Sequence, residues 1–145
     1  GPQILEFNAR FGDPETQPLL VRMESDIIPI FEACIDGTLD QCQLEWKKES
    51  SVCVVMVAEG YPGSYKKGKP ISGLKDANAL PGIVVFHAGT KEKNGEVLTH
   101  GGRVLGVTAI GADTPTAINR AYEAVNEIHW QGVQFRKDIG SKAGP

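Results

Sequence analysis

The run Ser51-Val52-Cys53-Val54-Val55-Met56-Val57-Ala58 decides the fold of this chain, because almost every side chain in it is apolar. A half-exposed strand alternates apolar and polar residues, and this run shows no such alternation. We therefore expect a β-strand whose two faces are both covered by other parts of the protein.

Further strands and one long helix follow this run. Residues 82–87, 97–109 and 133–135 are predicted strands, and the second of them is expected to bend at Gly101-Gly102. The long helix is predicted to begin at Thr114-Pro115, a capping residue followed by a first-turn proline. This order of elements predicts an α+β fold, a compact antiparallel sheet with one long helix across it.

Another strand is predicted near the N-terminus, over residues 4–10. Successive side chains of a strand point to opposite faces, so Glu6, Asn8 and Arg10 share one face while the apolar residues share the other. Magnesium prefers oxygen ligands, and a guanidinium can stabilise a phosphoryl group in transfer, so this face predicts metal and phosphate binding. The alternatives are exposed polar positions for Glu6 and Asn8, and for Arg10 a salt bridge to Asp13 or Glu15.

A helix is predicted directly after this strand, with Asp13 as its capping residue and Pro14 in its first turn. Apolar residues at steps of three and four predict one buried stripe. Its members are Leu20, Met23, Ile27, Phe31 and Cys34. We expect the helix to break near Pro29 and to end at Gly37.

The composition argues against several classes of function. With 15 basic and 18 acidic residues the net charge is −3, which gives no electrostatic reason to expect nucleic acid or an anionic membrane as partner. No apolar run approaches the ~18 residues of a membrane span. The three cysteines lack C-x-x-C spacing, which predicts reduced thiols in a cytoplasmic protein, with Cys34 and Cys53 buried.

Five blocks of the sequence resemble one enzyme family, in the family's order and over nearly the whole chain. They are residues 5–18 (LEFNARFGDPETQP), 60–63 (GYPG), 85–90 (VFHAGT), 101–105 (GGRVL) and 136–140 (RKDIG). With these blocks the chain resembles the C-terminal part of the phosphoribosylamine–glycine ligase family, which belongs to the ATP-grasp superfamily and acts in de novo purine synthesis. The resemblance implies that residues 1–38 are the terminal strand and helix of an ATP-grasp domain. Residues 39–145 then form a small β-rich C-terminal domain.

The resemblance also implies an activity, the ATP-dependent ligation of glycine to 5-phosphoribosylamine. Glu6 and Asn8 are then ligands of Mg²⁺ or Mn²⁺, and Arg10 is a catalytic residue. The partners are the three small-molecule substrates and the missing N-terminal part of the enzyme, which carries the nucleotide-binding lysines. Without that part we expect the fragment to be inactive.

Substrate binding is implied for Asp13 and for Gly101-Gly102-Arg103, which resembles a tight turn that presents N–H groups and a guanidinium to the ribose phosphate. A simple cap at Asp13 and an ordinary β-turn with a surface arginine are the alternatives. Arg136-Lys137-Asp138 is expected to hold the C-terminal segment in place.

Two other interpretations of the whole chain stay open at this point. The first is a non-catalytic β-rich interaction domain derived from such a ligase, and the second is part of another ATP-grasp ligase.

Overall fold

A four-stranded antiparallel sheet organises the chain, of which the computed structural model describes residues 3–4 and 6–143. The strands of the described residues are β1 (Ser50–Ala58), β2 (Ile83–His87), β3 (Thr90–Lys93), β4 (Glu96–Thr99), β5 (Arg103–Gly111) and β6 (Val133–Phe135). The helices are α1 (Thr16–Leu20), α2 (Ile27–Asp36), α3 (Leu74–Ala79) and α4 (Thr114–Glu127). The main sheet has the order β2-β5-β1-β6, and β3 pairs with β4 in a separate ladder.

Strand β1 lies inside the sheet, between β5 and β6. The prediction that both of its faces are covered holds for one face and only in part for the other. The side chains on one of its faces are buried in the main hydrophobic core. They belong to Val52, Val54, Met56 and Ala58. The opposite face of β1 is half-buried, with α1 packed over part of it.

Helix α4 covers the core face of the sheet through small residues. Ala117, Ala121 and Ala124 are fully buried, which lets the helix backbone approach the strands closely. Its N-cap is Asp113, one residue earlier than predicted, because the Asp113 carboxylate accepts a hydrogen bond from the Thr116 N–H at 2.8 Å. The predicted antiparallel sheet with one long helix across it is thus confirmed.

The helix predicted after residue 13 is two helices, separated at residues 21–26. Asp26 caps α2 by accepting a hydrogen bond from the Ile28 N–H at 2.9 Å. Pro29 is the third residue of α2, where no intrahelical N–H bond is lost, so the break comes before Pro29 and not at it. Gly37 ends α2 in the left-handed conformation, with φ of 71°, as predicted.

The buried stripe predicted for this region is wrong in this chain. Ala33, which is not in the stripe, is the only buried residue of α2, while Leu20 is 37% and Phe31 is 43% exposed. Cys34 is also exposed, against the prediction. The reason is position, since α2 packs on the short 3₁₀ turn at 39–41 and not on the sheet.

The strand predicted over residues 4–10 is likewise not formed, since residues 3–4 and 6–10 carry no regular structure and Leu5 lies outside the described residues. Phe7, expected on the inner face, is 87% exposed. A strand needs a neighbour to satisfy its backbone groups, and no described strand pairs with this segment.

Two elements were not predicted, α3 and β3. The strand predicted over 97–109 is divided at residues 100–102 into β4 and β5, which belong to different ladders. No helix within the described ranges is long and apolar enough to cross a membrane.

Candidate functional site

A cavity of about 1020 Å³ lies on the face of the sheet opposite α4. Its floor is formed by β1, through Cys53, Val55 and Val57. Pro14 and Arg103 line one side, and residues 134–137 at and beyond the end of β6 line another. We call this cavity the groove. It combines an apolar floor with cationic walls, which suits a small anionic ligand.

A β-bulge directs the Arg103 side chain into the groove. Met56 pairs with Leu105 but Val57 pairs with Arg103, so Val104 is an extra residue in β5. Without the extra residue, Arg103 would fall on the face covered by α4. The bulge shifts the alternation by one, and Arg103 shares the open face with Val57.

Arg103 in turn holds Asp13. The Arg103 Nη1 donates a hydrogen bond to the Asp13 carbonyl oxygen at 2.7 Å, and the Arg103 Nε lies 3.6 Å from the Asp13 Oδ2. Two residues predicted to bind substrate are therefore in direct contact. This contact places the turn that follows residues 6–10 against the first residue of β5.

Asp13 does not cap a helix, which corrects that alternative. Helix α1 begins only at Thr16, and its N-cap, Glu15, makes no side-chain cap. The Asp13 Oδ1 instead accepts a hydrogen bond from the Gln17 Nε2 at 2.9 Å. The carboxylate is thus shared between the guanidinium of Arg103 and the amide of Gln17.

The glycines before Arg103 permit close packing at the rim of the groove. A Cβ on Gly102 would lie 2.8 Å from the Tyr61 Cε2 and 2.9 Å from the Tyr65 Cε1, which is closer than carbon atoms approach. Gly101 lies against Gly89, where an added Cβ on Gly89 would be 2.8 Å from the Gly101 nitrogen. Gly102 therefore packs against the Tyr61 ring, which lines the groove, while Gly101 packs against Gly89.

The predicted metal ligands lie side by side outside the groove. The Asn8 Nδ2 donates a hydrogen bond to the Glu6 Oε1 at 2.9 Å, and both side chains are exposed. Arg10 is exposed as well; its Nη1 donates to the Phe11 carbonyl oxygen at 2.7 Å, and it forms no salt bridge with Asp13 or Glu15. Of the predicted site residues, Arg103 lines the groove, and Asp13 is bound to Arg103 at its edge.

The groove floor contains the thiol of Cys53, whose pKa is raised and whose reactivity is low. Burial raises the pKa of Cys53, and the carboxylates of Asp13 and Glu15 raise it further, while the neighbouring Thr108 side chain acts in the opposite direction. The thiol therefore stays protonated near neutral pH and is a poor nucleophile.

The sequence reading missed groove residues at and after the end of β6: Gln134, Arg136 and Lys137. For Arg136 and Lys137 the sequence predicts a structural role only. The alternation around Gln134, a polar residue between Val133 and Phe135, was the available signal that its side chain leaves the core.

The comparisons with known proteins agree on one family. The family model "Phosphoribosylglycinamide synthetase, C domain" matches residues 51–142. A phosphoribosylamine–glycine ligase of Rhodopirellula baltica is 51% identical over 144 residues, which are 99% of this chain and 33% of that protein. The chloroplastic phosphoribosylamine–glycine ligase of Arabidopsis thaliana is also 51% identical, over 98% of this chain and 27% of its own length.

A solved structure gives the same result. The crystal structure of phosphoribosylamine–glycine ligase from Thermotoga maritima has a TM-score of 0.70 and 33% identity, and the match covers 95% of this chain and 33% of that one. The chain thus spans about a third of the length of the relatives it matches. On this evidence the chain belongs to the phosphoribosylglycinamide synthetase C-domain family.

Proposed function

We propose that the chain is the C-terminal part of an ATP-dependent ligase that joins glycine to 5-phosphoribosylamine and forms glycinamide ribonucleotide. The observation that carries the proposal is the contact between Arg103 and Asp13, which joins a cationic groove to the segment with Glu6, Asn8 and Arg10. The family of the chain and the names of its relatives support the same activity.

Glu6 and Asn8 fit part of a magnesium or manganese site. They supply one carboxylate and one amide side chain, which are joined by a hydrogen bond from the Asn8 Nδ2 to the Glu6 Oε1. The Asn8 NH₂ faces Glu6. For both side chains to bind one cation, the amide must rotate by about 180° so that its oxygen faces Glu6 instead. Among the residues described, no group of three or more His, Cys, Asp or Glu side chains could hold a metal alone. The remaining ligands must come from the phosphates of ATP and from the preceding part of the ligase.

In the proposed reaction, ATP transfers its γ-phosphoryl group to the glycine carboxylate and leaves as ADP. The amine of phosphoribosylamine then attacks the acyl carbon, forms the amide bond and displaces inorganic phosphate with loss of a proton. A bound divalent ion supplies charge neutralisation for the phosphates. Arg10 is exposed and forms no salt bridge with any described residue. In this proposal its guanidinium stabilises the phosphoryl group during transfer. Asp13 and the turn Gly101-Gly102-Arg103 contact the phosphorylated amine in this proposal.

The proposal divides the chain as the resemblance implies. Residues 1–38 complete an ATP-grasp domain with the preceding part of the ligase, and residues 39–145 form the C-terminal domain. The exposed apolar side chains of Phe7, Phe31 and Ile35 are consistent with further covering of this region in a longer protein. The proposed location is the cytoplasm, in keeping with three free cysteines.

The test is a ligase assay on the longer protein that contains this chain. We expect ADP formation that requires both glycine and phosphoribosylamine. Glu6→Gln and Asn8→Ala should each lower kcat by at least ~10²-fold, because each weakens the neutralisation of charge in the transition state. Both side chains are exposed, so the melting temperature should hardly change.

Glu92→Gln is the matched control, since it makes the same chemical change on the exposed β3–β4 ladder. ADP formation that ignores glycine, or normal turnover in both Glu6 and Asn8 variants, would contradict the proposal. The first result would favour part of another ATP-grasp ligase, and the second would favour a non-catalytic interaction domain.

A further inference from the structure

The segment after β6 is held rigidly against α4 by one hydroxyl group. The Tyr122 Oη donates a hydrogen bond to the Arg136 carbonyl oxygen at 2.7 Å and accepts one from the Ile139 N–H at 3.0 Å. These bonds fix the backbone on both sides of Lys137. The cationic wall of the groove is therefore formed before any ligand binds, which lowers the entropy lost on binding.

The charges on this wall leave one cation uncompensated. Arg136 donates two hydrogen bonds to the Asp138 carboxylate, at 2.8 and 2.6 Å. This pairing raises the pKa of Arg136 and lowers the pKa of Asp138, so both remain charged. Lys137 forms no salt bridge with any residue of the ranges 3–4 and 6–143. An anion in the groove thus meets a net positive charge at Lys137.

The opposite wall offers less free charge. Arg103 already contacts the carbonyl oxygen and the carboxylate of Asp13. Between the walls, Val57 pairs with Arg103 on one side and with Gln134 on the other, so the three side chains form a row on the open face. Two strand spacings separate the ends of this row, about 10 Å. The row has an apolar centre and an amide that can donate to or accept from hydroxyl groups.

We propose that the segment Arg136-Lys137 is the phosphate-binding end of the groove and takes the phosphate of a sugar phosphate. The sugar then lies over Val57, with its hydroxyl groups at Gln134, and its other end points toward Arg103 and Asp13. The proposal rests on the proposed function, because it assigns the phosphate of the phosphorylated amine to this wall rather than to Arg103.

The test is a titration of the 145-residue chain, followed by NMR of ¹⁵N-labelled amides. Ribose 5-phosphate is the probe, with ribose and inorganic phosphate as separate arms. We expect ribose 5-phosphate to shift the amides of residues 134–139 and to bind at least tenfold more tightly than either other probe. Lys137→Gln should raise its Kd at least tenfold, whereas Lys93→Gln, on the exposed β3–β4 ladder, should leave it unchanged.

Three results would overturn the proposal. The first is the absence of ribose 5-phosphate binding to the chain, and the second is equal affinity for inorganic phosphate. The third is a larger loss of affinity in Arg103→Gln than in Lys137→Gln. Because the readout is binding to this chain, it is independent of ligase turnover in the longer protein. A longer protein without ligase activity would overturn the proposed function and leave the phosphate site standing.

Discussion

The Arg103 guanidinium holds the Asp13 carbonyl oxygen at 2.7 Å, although 90 residues separate the two in sequence. The bulge at Val104 makes this contact possible, because it turns Arg103 out of the core face. Helix α1 is then held to the sheet at the turn before it and at its middle residue, since the Ser51 hydroxyl donates to the Pro18 carbonyl oxygen at 2.6 Å. The segment with Glu6 and Asn8 is thus tied to the sheet through contacts that follow it in sequence.

Arg103→Ala should release α1 without unfolding the sheet. The contact is part-exposed, so its loss should lower the free energy of unfolding by only about 1 kcal/mol. The amides of Thr16, Leu19 and Val21, which donate backbone hydrogen bonds in and beside α1, should exchange with solvent about 5-fold faster. Local opening of α1 no longer breaks the bond to Asp13, and about 1 kcal/mol corresponds to this factor. Hydrogen exchange followed by NMR measures both effects.

Arg136→Ala is the matched control for this prediction. It also removes an arginine bonded to an aspartate, but its partner Asp138 is two residues away and far from α1 in sequence. Exchange at the amides of Thr16, Leu19 and Val21 should be unchanged in this variant. Equal acceleration in the two variants would mean that Arg103 does not anchor α1.

The elements that the sequence predicted well have strong local signals. β1 is a continuous apolar run, β6 alternates over three residues, and α4 combines a capping residue with a regular apolar face. Helix α3 was missed because it is six residues long and buries only Ala77. A short helix of this kind carries too little periodicity to be recognised.

The errors arise where the structure depends on distant parts of the chain. The pattern at residues 4–10 is that of a strand, yet a strand forms only beside a partner, and the described chain offers none. The contact between Arg103 and Asp13 requires a bulge that the run Gly101–Leu105 does not reveal. The position of Lys137 in the groove depends on the fold, because nothing in its immediate sequence separates it from a surface lysine.

Gly102→Ala should deform the rim of the groove. The added methyl group would lie 2.8 Å from the Tyr61 Cε2 and 2.9 Å from the Tyr65 Cε1, so both rings must move. Overpacking of this kind costs about 1–3 kcal/mol. We expect a lower melting temperature together with a change in the tyrosine signal of the near-ultraviolet circular dichroism spectrum.

Gly68→Ala separates this effect from backbone strain. Gly68 has φ of 79° but open space around it, so the substitution costs about 1–2 kcal/mol through its left-handed conformation alone. The melting temperature should fall, while the tyrosine signal should stay as in the unmodified chain. An unchanged tyrosine signal in Gly102→Ala would contradict the packing against Tyr61 and Tyr65.

Asp113 should make α4 sensitive to acid. Hydrogen bonds from Thr116 lower the pKa of Asp113 below its usual range. A carboxyl group with a depressed pKa in the folded state stabilises the fold above its unfolded pKa, about 3.9, and this contribution is lost as the pH falls through the folded value. Asp113→Asn keeps an acceptor at the cap but does not titrate.

The fall in melting temperature between neutral pH and about pH 3 should therefore be smaller in Asp113→Asn than in the unmodified chain. Asp36→Asn, at the C-terminal end of α2, serves as the control; Asp36 caps no helix N-terminus, so its replacement should not reduce the fall in melting temperature. Equal falls in Asp113→Asn and the unmodified chain would show that the Asp113 charge does not stabilise α4.

Cys53 should react slowly with iodoacetamide, whereas Cys34, which is exposed, should react readily. Burial and the carboxylates of Asp13 and Glu15 raise the Cys53 pKa, so little thiolate forms near neutral pH. We expect Cys34 to be alkylated at least ~10-fold faster, measured by peptide mass spectrometry.

Arg103→Ala should accelerate only the reaction of Cys53, because release of the turn at Asp13 both uncovers the thiol and removes a nearby negative charge. Equal acceleration at Cys34 would instead indicate general loosening of the fold, and no acceleration at Cys53 would mean that the turn stays in place without Arg103.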